Sequence, residues 1–165
     1  MDALKRLDAL PGPDARAAFL RCCGSRSWAE AMLSGRPYRD EPTLLAAAGR
    51  AFAALGREDW LEAFSHHPRI GDRGAHAAGW SAAEQSGVDG AAQDVVGALA
   101  RANRDYEARF GYIFIVCATG KSAAEMLALL RERLPNGPAA ELEIAAAEQR
   151  KITAIRLKKL LSEGP

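Results

Sequence analysis

The chain has 165 residues, with 22 Lys and Arg against 21 Asp and Glu, a formal charge of +1 and 48% apolar residues. That length suits one domain, 1–165, with a buried core, and the composition is that of a folded rather than a disordered protein. The balanced charge leaves no cation excess to neutralise phosphates, which argues against a nucleic-acid partner, and no apolar run reaches bilayer length, which argues against a membrane span.

Ala and Leu are abundant and β-branched residues scarce, so the chain reads as all-α. Asp14 is placed to cap a first helix carrying Phe19 and Leu20 and closing near Gly24. Ser25 opens a second, with Trp28, Met32 and Leu33, ending before Gly35 and Pro37. Pro42 suits the first turn of a third, whose apolar stripe is Leu44, Leu45, Ala48, Phe52 and Leu55. A short fourth holds Trp60, Leu61 and Phe64 and must stop near His67, because Pro68 follows. The stretch from Pro68 to Gly79 is glycine-containing and poor in apolar residues, and is expected as a surface loop. Asp89 opens a long helix through Val95, Val96, Leu99 and Tyr106, with Gly111 as its terminating glycine. Another runs through Met126, Leu127, Leu130 and Leu134, and the last from Pro138 toward Leu161. Tyr112-Ile-Phe-Ile-Val116 has strand propensity. Without a second such segment its backbone could not pair, so a short buried extended piece or an enforced helix is expected rather than a sheet.

Neither end of the sequence carries a secretory or peroxisomal address: Met1-Asp-Ala-Leu-Lys-Arg6 precedes no apolar stretch, and the chain ends Ser162-Glu-Gly-Pro165. A cytoplasmic setting is the expectation. Three cysteines, Cys22, Cys23 and Cys117, agree with a reducing compartment; adjacent Cys22 and Cys23 lack the usual geometry for a mutual disulfide and read as small buried apolar side chains.

The candidate chemistry starts at His67, where a helix must end before Pro68-Arg69-Ile70-Gly71-Asp72. An imidazole there titrates near neutrality, as proton transfer requires; capping a helix end is the plainer role for the same residue. His66 and His76 form no ligand set with it at zinc spacing, so no metal is expected. Ser81-Ala82-Ala83-Glu84-Gln85 contains a Ser-x-x-Glu capping box. The same geometry attracts an anion to free helix N–H groups and offers a carboxylate to steer a histidine. Arg156, four residues after Ile152, sits at the edge of the last helix's apolar face and is suited to clamp a carboxylate, while Arg150 lies on nearly the opposite face. Gly120-Lys121-Ser122 lacks the earlier glycine of a phosphate loop, since position 115 is Ile, and Ser122 with Glu125 reads as a second capping box.

In series these fragments resemble one family. Cys22-Cys23-Gly-Ser25 with Trp28 and Arg36-Pro37, Asp59-Trp60-Leu61-Glu62-Ala63-Phe64 leading into His67-Pro68-Arg69-Ile70-Gly71-Asp72, and Ser81-x-x-Glu84-Gln85 are followed by Asn103-x-x-Tyr106, Phe110-Gly111-Tyr112-x-Phe114-Ile115, and Glu148-x-x-x-Ile152-x-x-x-Arg156-Leu157. The whole series resembles the 2-oxo-4-hydroxy-4-carboxy-5-ureidoimidazoline (OHCU) decarboxylases of urate breakdown, in order and over nearly the full chain. Ala102 stands where that family often has Leu.

The resemblance implies an all-helical homodimer acting on a small ureidoimidazoline without metal or organic cofactor. It also implies loss of carbon dioxide with stereospecific protonation to (S)-allantoin. It makes His67 the catalytic histidine, Glu84 its carboxylate companion and Arg156 the anion-binding arginine. Pro68, Ser81, Ala82, Ala83, Glu84 and Gln85 would line the pocket, and the backbone of Phe114, Ile115, Val116, Cys117 and Ala118 would form its irregular wall. Two readings compete with this one: a hydrolase pairing Cys22 or Cys23 with His67, and a non-catalytic helical interaction module.

Overall fold

Eight helices run through the residues that the computed structural model describes, 2–70, 80 and 93–165. They are α1 (Ala3–Ala9), α2 (Gly12–Cys22), α3 (Arg26–Ser34), α4 (Glu41–Ala53), α5 (Arg57–Ser65), α6 (Gln93–Phe110), α7 (Ala123–Arg133) and α8 (Pro138–Glu163). No strand occurs among the described residues, so the architecture is all-α, as propensity predicts. Two units divide the chain, one made of Met1–Ala63 with Arg150–Pro165 and the other of Phe64–Gln149. The long helix α8 therefore gives its first part to the second unit and its remainder to the first.

In the first unit, helix starts follow side-chain capping. Ser25 Oγ accepts the Trp28 N–H at 3.2 Å, and Asp40 Oδ1 accepts the Thr43 N–H at 2.8 Å just ahead of Pro42. The bonds from Thr43 also hold the Asp40 carboxyl below the usual carboxylate range. Asp14 behaves differently from the expectation. Pro11 occupies the N-cap of α2, and Asp14 lies inside the first turn, where its charge faces the positive end of the helix dipole. Leu55 falls beyond the end of α4 and is only partly buried.

The seven-residue α1 was not legible in the sequence, because a helix so short is not stable by itself. Tertiary contacts hold it. Leu4 and Leu7 are buried, and Arg36 Nη1 donates to the carbonyls of Leu7, Asp8 and Leu10 at 2.9, 3.2 and 3.0 Å, satisfying the helix's open C-terminal end. α2 packs on α3 and α3 on α4. Their shared core centres on Trp28, edge-on to Phe19 at 6.1 Å and donating its Nε1–H to the Ala48 carbonyl at 3.2 Å.

In the second unit α6 packs on α7. The fully buried Tyr106 is ringed by Phe110, Phe114 and Tyr112 at centroid distances of 4.6, 5.2 and 5.9 Å. Gly111 ends α6 at φ +82°, a left-handed conformation that favours glycine, and its N–H reaches the Glu107 carbonyl at 2.9 Å. Residues 112–116 then run as irregular, non-helical backbone, buried from Phe114 onward. Of the two alternatives read from the sequence, the enforced helix does not form.

α7 begins with the capping box expected at Ser122: its Oγ accepts the Glu125 N–H at 3.1 Å, and Glu125 Oε1 accepts the Ser122 N–H at 3.4 Å. Ser122→Ala is expected to destabilise the protein by about 1 kcal/mol. The measurement is a lowered urea midpoint with unchanged slope, recovered by Ser122→Asp; an Ala variant as stable as wild type would show the cap to be inert.

Candidate active site

Pro68 cannot extend α5, and the helix ends at Ser65, with His67 N–H turned back to the Phe64 carbonyl at 3.1 Å. This presents the His67 ring, half-buried, while its neighbour His66 is exposed. Gln149 of α8, itself fully buried, accepts from His67 Nε2 through Oε1 at 2.6 Å. Pro68 and Ile70 are buried and Ile70 joins the core around Tyr106, so the start of the expected surface loop is in fact an anchored strap. Arg69 between them is exposed and pairs with Glu107 through two bonds of 2.8 and 2.9 Å.

The wall from Phe114 to Ala118 is buried throughout and held from several sides. Arg133 Nη1 donates to the Ile115 carbonyl at 2.7 Å, with its guanidinium over the Phe114 ring at 4.5 Å. Glu148 Oε1 accepts the Cys117 N–H at 3.2 Å, Lys121 Nζ donates to the Cys117 carbonyl at 2.7 Å, and the Lys121 N–H reaches the Ala118 carbonyl at 3.0 Å. An unpaired strand-like segment would leave buried backbone groups unsatisfied; here cationic and anionic side chains take the place of a neighbouring strand. Two consecutive residues of α8 thus anchor the two halves of the candidate site in this unit: Glu148 grips the wall and Gln149 the histidine.

Ser81, Ala82, Ala83, Glu84 and Gln85 lie outside the described residues, as do Gly71, Asp72, His76 and Asp89. Arg156, in the other unit, is 8% exposed and donates Nη1 to the Arg21 carbonyl at 3.3 Å, so it turns inward as its register predicts. Among the described residues no group of three or more His, Cys, Asp and Glu could hold a metal ion, and no helix is long and apolar enough to cross a membrane.

The thiols are poorly suited to nucleophilic catalysis. Cys22, Cys23 and Cys117 are free and buried. Burial pushes the Cys22 thiol up to about 12, outweighing the nearby Arg156 and Arg21 cations, and burial likewise raises Cys23. A thiol so placed holds almost no thiolate at neutral pH. Cys22 Sγ instead donates to the Ala18 carbonyl at 3.6 Å, one turn back along α2.

A family model described as OHCU decarboxylase matches residues 8–158. The chain belongs to the OHCU decarboxylase family. It is 41% identical over 148 residues to the uric acid degradation bifunctional protein TTL of Arabidopsis thaliana, covering 86% of this chain and 46% of that protein. The chain thus spans about half the length of this two-function relative. It is 30% identical over 141 residues to the 2-oxo-4-hydroxy-4-carboxy-5-ureidoimidazoline decarboxylase of Amia calva, covering 81% of this chain and 79% of the relative. A crystal structure of OHCU decarboxylase in the presence of (S)-allantoin superposes with a TM-score of 0.77 at 40% identity, over 87% of this chain and 96% of the other.

In this OHCU decarboxylase family member, sequence reasoning missed Gln149, Arg133 and Lys121 as parts of the candidate site. It placed Glu148 within the motif series but gave it no role. Gln149 did leave a signal. It occupies the register of Ala145, Ile152 and Arg156, and all four are buried, so a polar side chain stands in the apolar stripe of α8. A buried amide in that position requires a partner. Arg133 left none, since a cation near a helix C-terminus is ordinary.

Proposed function

We propose that this chain decarboxylates OHCU to (S)-allantoin in urate degradation, with no cofactor. The observation that carries the reading is His67, presented at a helix end and fixed through Nε2 by a fully buried acceptor in a chain of this family. Breaking the bond to the carboxylate releases carbon dioxide and leaves the electron pair on a ring carbon. The substrate's own unsaturated system delocalises that pair until a proton arrives. No redox partner is needed. Chirality requires that the proton come from one face only, and a side chain held at a defined angle does this where bulk water cannot.

His67 delivers or relays that proton. Glu84 orients it and meets the substrate hydroxyl, while Arg156, whose guanidinium carries five N–H donors, binds a polar carbonyl or the carboxylate. Pro68, Ser81, Ala82, Ala83 and Gln85 line the pocket. The wall of Phe114, Ile115, Val116, Cys117 and Ala118 offers backbone groups to the ureido and ring amides. The carbonyls of Ile115, Cys117 and Ala118 and the N–H of Cys117 are engaged by the protein itself. The working form in this reading is a single-domain homodimer in the cytoplasm.

The test supplies OHCU freshly generated from 5-hydroxyisourate and follows the circular dichroism of the product. Formation of (S)-allantoin faster than the spontaneous reaction is expected. A racemate at the spontaneous rate would end the decarboxylase reading.

A further inference from the structure

We infer that Lys121 is a positioning residue of the candidate wall: by holding the Cys117 carbonyl it fixes and polarises the Cys117–Ala118 peptide, whose N–H binds a carbonyl oxygen of the substrate. The inference rests on the decarboxylase reading proposed above, in which the wall meets the substrate, and adds to it a side chain and the group that side chain aims. It also gives a role to Gly120-Lys121-Ser122, a run that lacks the earlier glycine of a phosphate loop.

The local geometry supplies the clamp. Gly120, at φ +78°, lets the chain turn directly after the wall, and the Lys121 N–H closes that turn on the Ala118 carbonyl at 3.0 Å. The half-buried Lys121 side chain reaches back, and its ammonium meets the Cys117 carbonyl at 2.7 Å, a distance typical of a charge-assisted bond. On the other side of the Cys117 Cα, the Glu148 carboxylate accepts the Cys117 N–H at 3.2 Å. The two peptide planes that meet at Cys117 are therefore tied to charges of opposite sign, one through its N–H and one through its C=O. Because each plane is rigid, the two bonds together set both dihedrals of Cys117.

In a trans peptide the N–H points opposite to the C=O, and the only cis bond among the described residues is Arg36-Pro37. With the Cys117 oxygen turned to Lys121, the Ala118 N–H faces away from the ammonium. A cation on the carbonyl oxygen also draws electron density from the amide nitrogen, which makes that N–H a stronger donor. The ligand atom it fits is an oxygen of the ureido group or of a ring amide. A neutral side chain at position 121 would hold the carbonyl less firmly and leave the N–H unpolarised.

The test is NMR of the full chain with isotope labels on cysteine carbonyl carbons and alanine nitrogens. Cys-Ala occurs once in the sequence, at 117–118, so the coupled signal reports this peptide alone. In wild type its amide is expected to shift when saturating (S)-allantoin, the product in this reading, is added. In Lys121→Met the Cys117 carbonyl resonance of the free protein is expected to move upfield as its bond is lost. KM for fresh OHCU is expected to rise about 2–10-fold, the worth of one ordinary hydrogen bond, with kcat little changed. Lys121→Arg, which keeps a cationic donor, is expected to recover both the resonance and KM, whereas a merely structural lysine would lower the urea midpoint and leave KM alone. An amide indifferent to (S)-allantoin in an active wild type overturns the inference without a variant having to fold. An unmoved carbonyl or an unchanged KM in Lys121→Met overturns it as well. If wild type makes only racemic product at the spontaneous rate, it is the decarboxylase reading that fails, and the inference falls with it.

Discussion

His67→Asn is expected to lower kcat by about 10²–10⁴-fold, the contribution typical of a positioned proton donor, and to leave only racemic allantoin from the spontaneous reaction. Asn is the informative replacement because it keeps an N–H donor but cannot titrate. The backbone bond from residue 67 to the Phe64 carbonyl does not depend on the side chain, so the end of α5 is retained. A shorter side chain leaves Gln149 Oε1 less well paired. That costs about 1–3 kcal/mol at worst, which a domain of this size withstands. Far-UV circular dichroism unchanged from wild type, measured beside product dichroism on fresh OHCU, separates loss of chemistry from loss of fold. Stereospecific turnover at near wild-type rate in the Asn variant would remove His67 from the mechanism.

What the sequence could and could not reveal about this site follows from the range of the interactions involved. Helices with local signals were legible: the Ser25 cap, Pro42 in a first turn, the Ser122–Glu125 box and Gly111 at the end of α6 each act within a few residues, and the structure places each as expected. α1 was not legible, because its stability comes from Arg36, more than two dozen residues away in sequence. The position of His67 before Pro68 was plain, but the atom that orients its ring lies 82 residues further on. The irregular wall was legible only as a contradiction, a strand-like run without a strand to pair with. Its resolution by Arg133, Glu148 and Lys121 depends on side chains whose local context is that of ordinary charged residues. Chemistry that depends on residue type is thus visible in the sequence, whereas the bonds that aim it are long-range and appear only with the fold.

The largest stability effect is expected one layer behind the wall. Glu141 is fully buried, and its Oε1 accepts from the Tyr106 hydroxyl at 2.5 Å and from Arg133 Nε at 2.7 Å, while Oε2 accepts from Asn136 Nδ2 at 3.0 Å. Burial, together with the bond to Glu141, raises the Tyr106 hydroxyl far above its ordinary range, so it remains a donor at any working pH. Glu141→Leu removes the only anion of this network among the described residues and leaves the nearly buried Arg133 guanidinium uncompensated. The expected loss is about 3–5 kcal/mol, a large share of a typical domain's total stability. Guanidinium unfolding followed by circular dichroism should place the midpoint well below wild type. Arg133→Met combined with Glu141→Leu should be less damaging than the two single losses added together, because the double variant buries no unpaired charge. Since Arg133 also holds the Ile115 carbonyl, the same variants are expected to raise KM if the wall binds substrate. A Glu141→Leu protein within about 1 kcal/mol of wild type would mean that the network orders the wall without stabilising the fold, because breaking a buried pair ordinarily costs several times more.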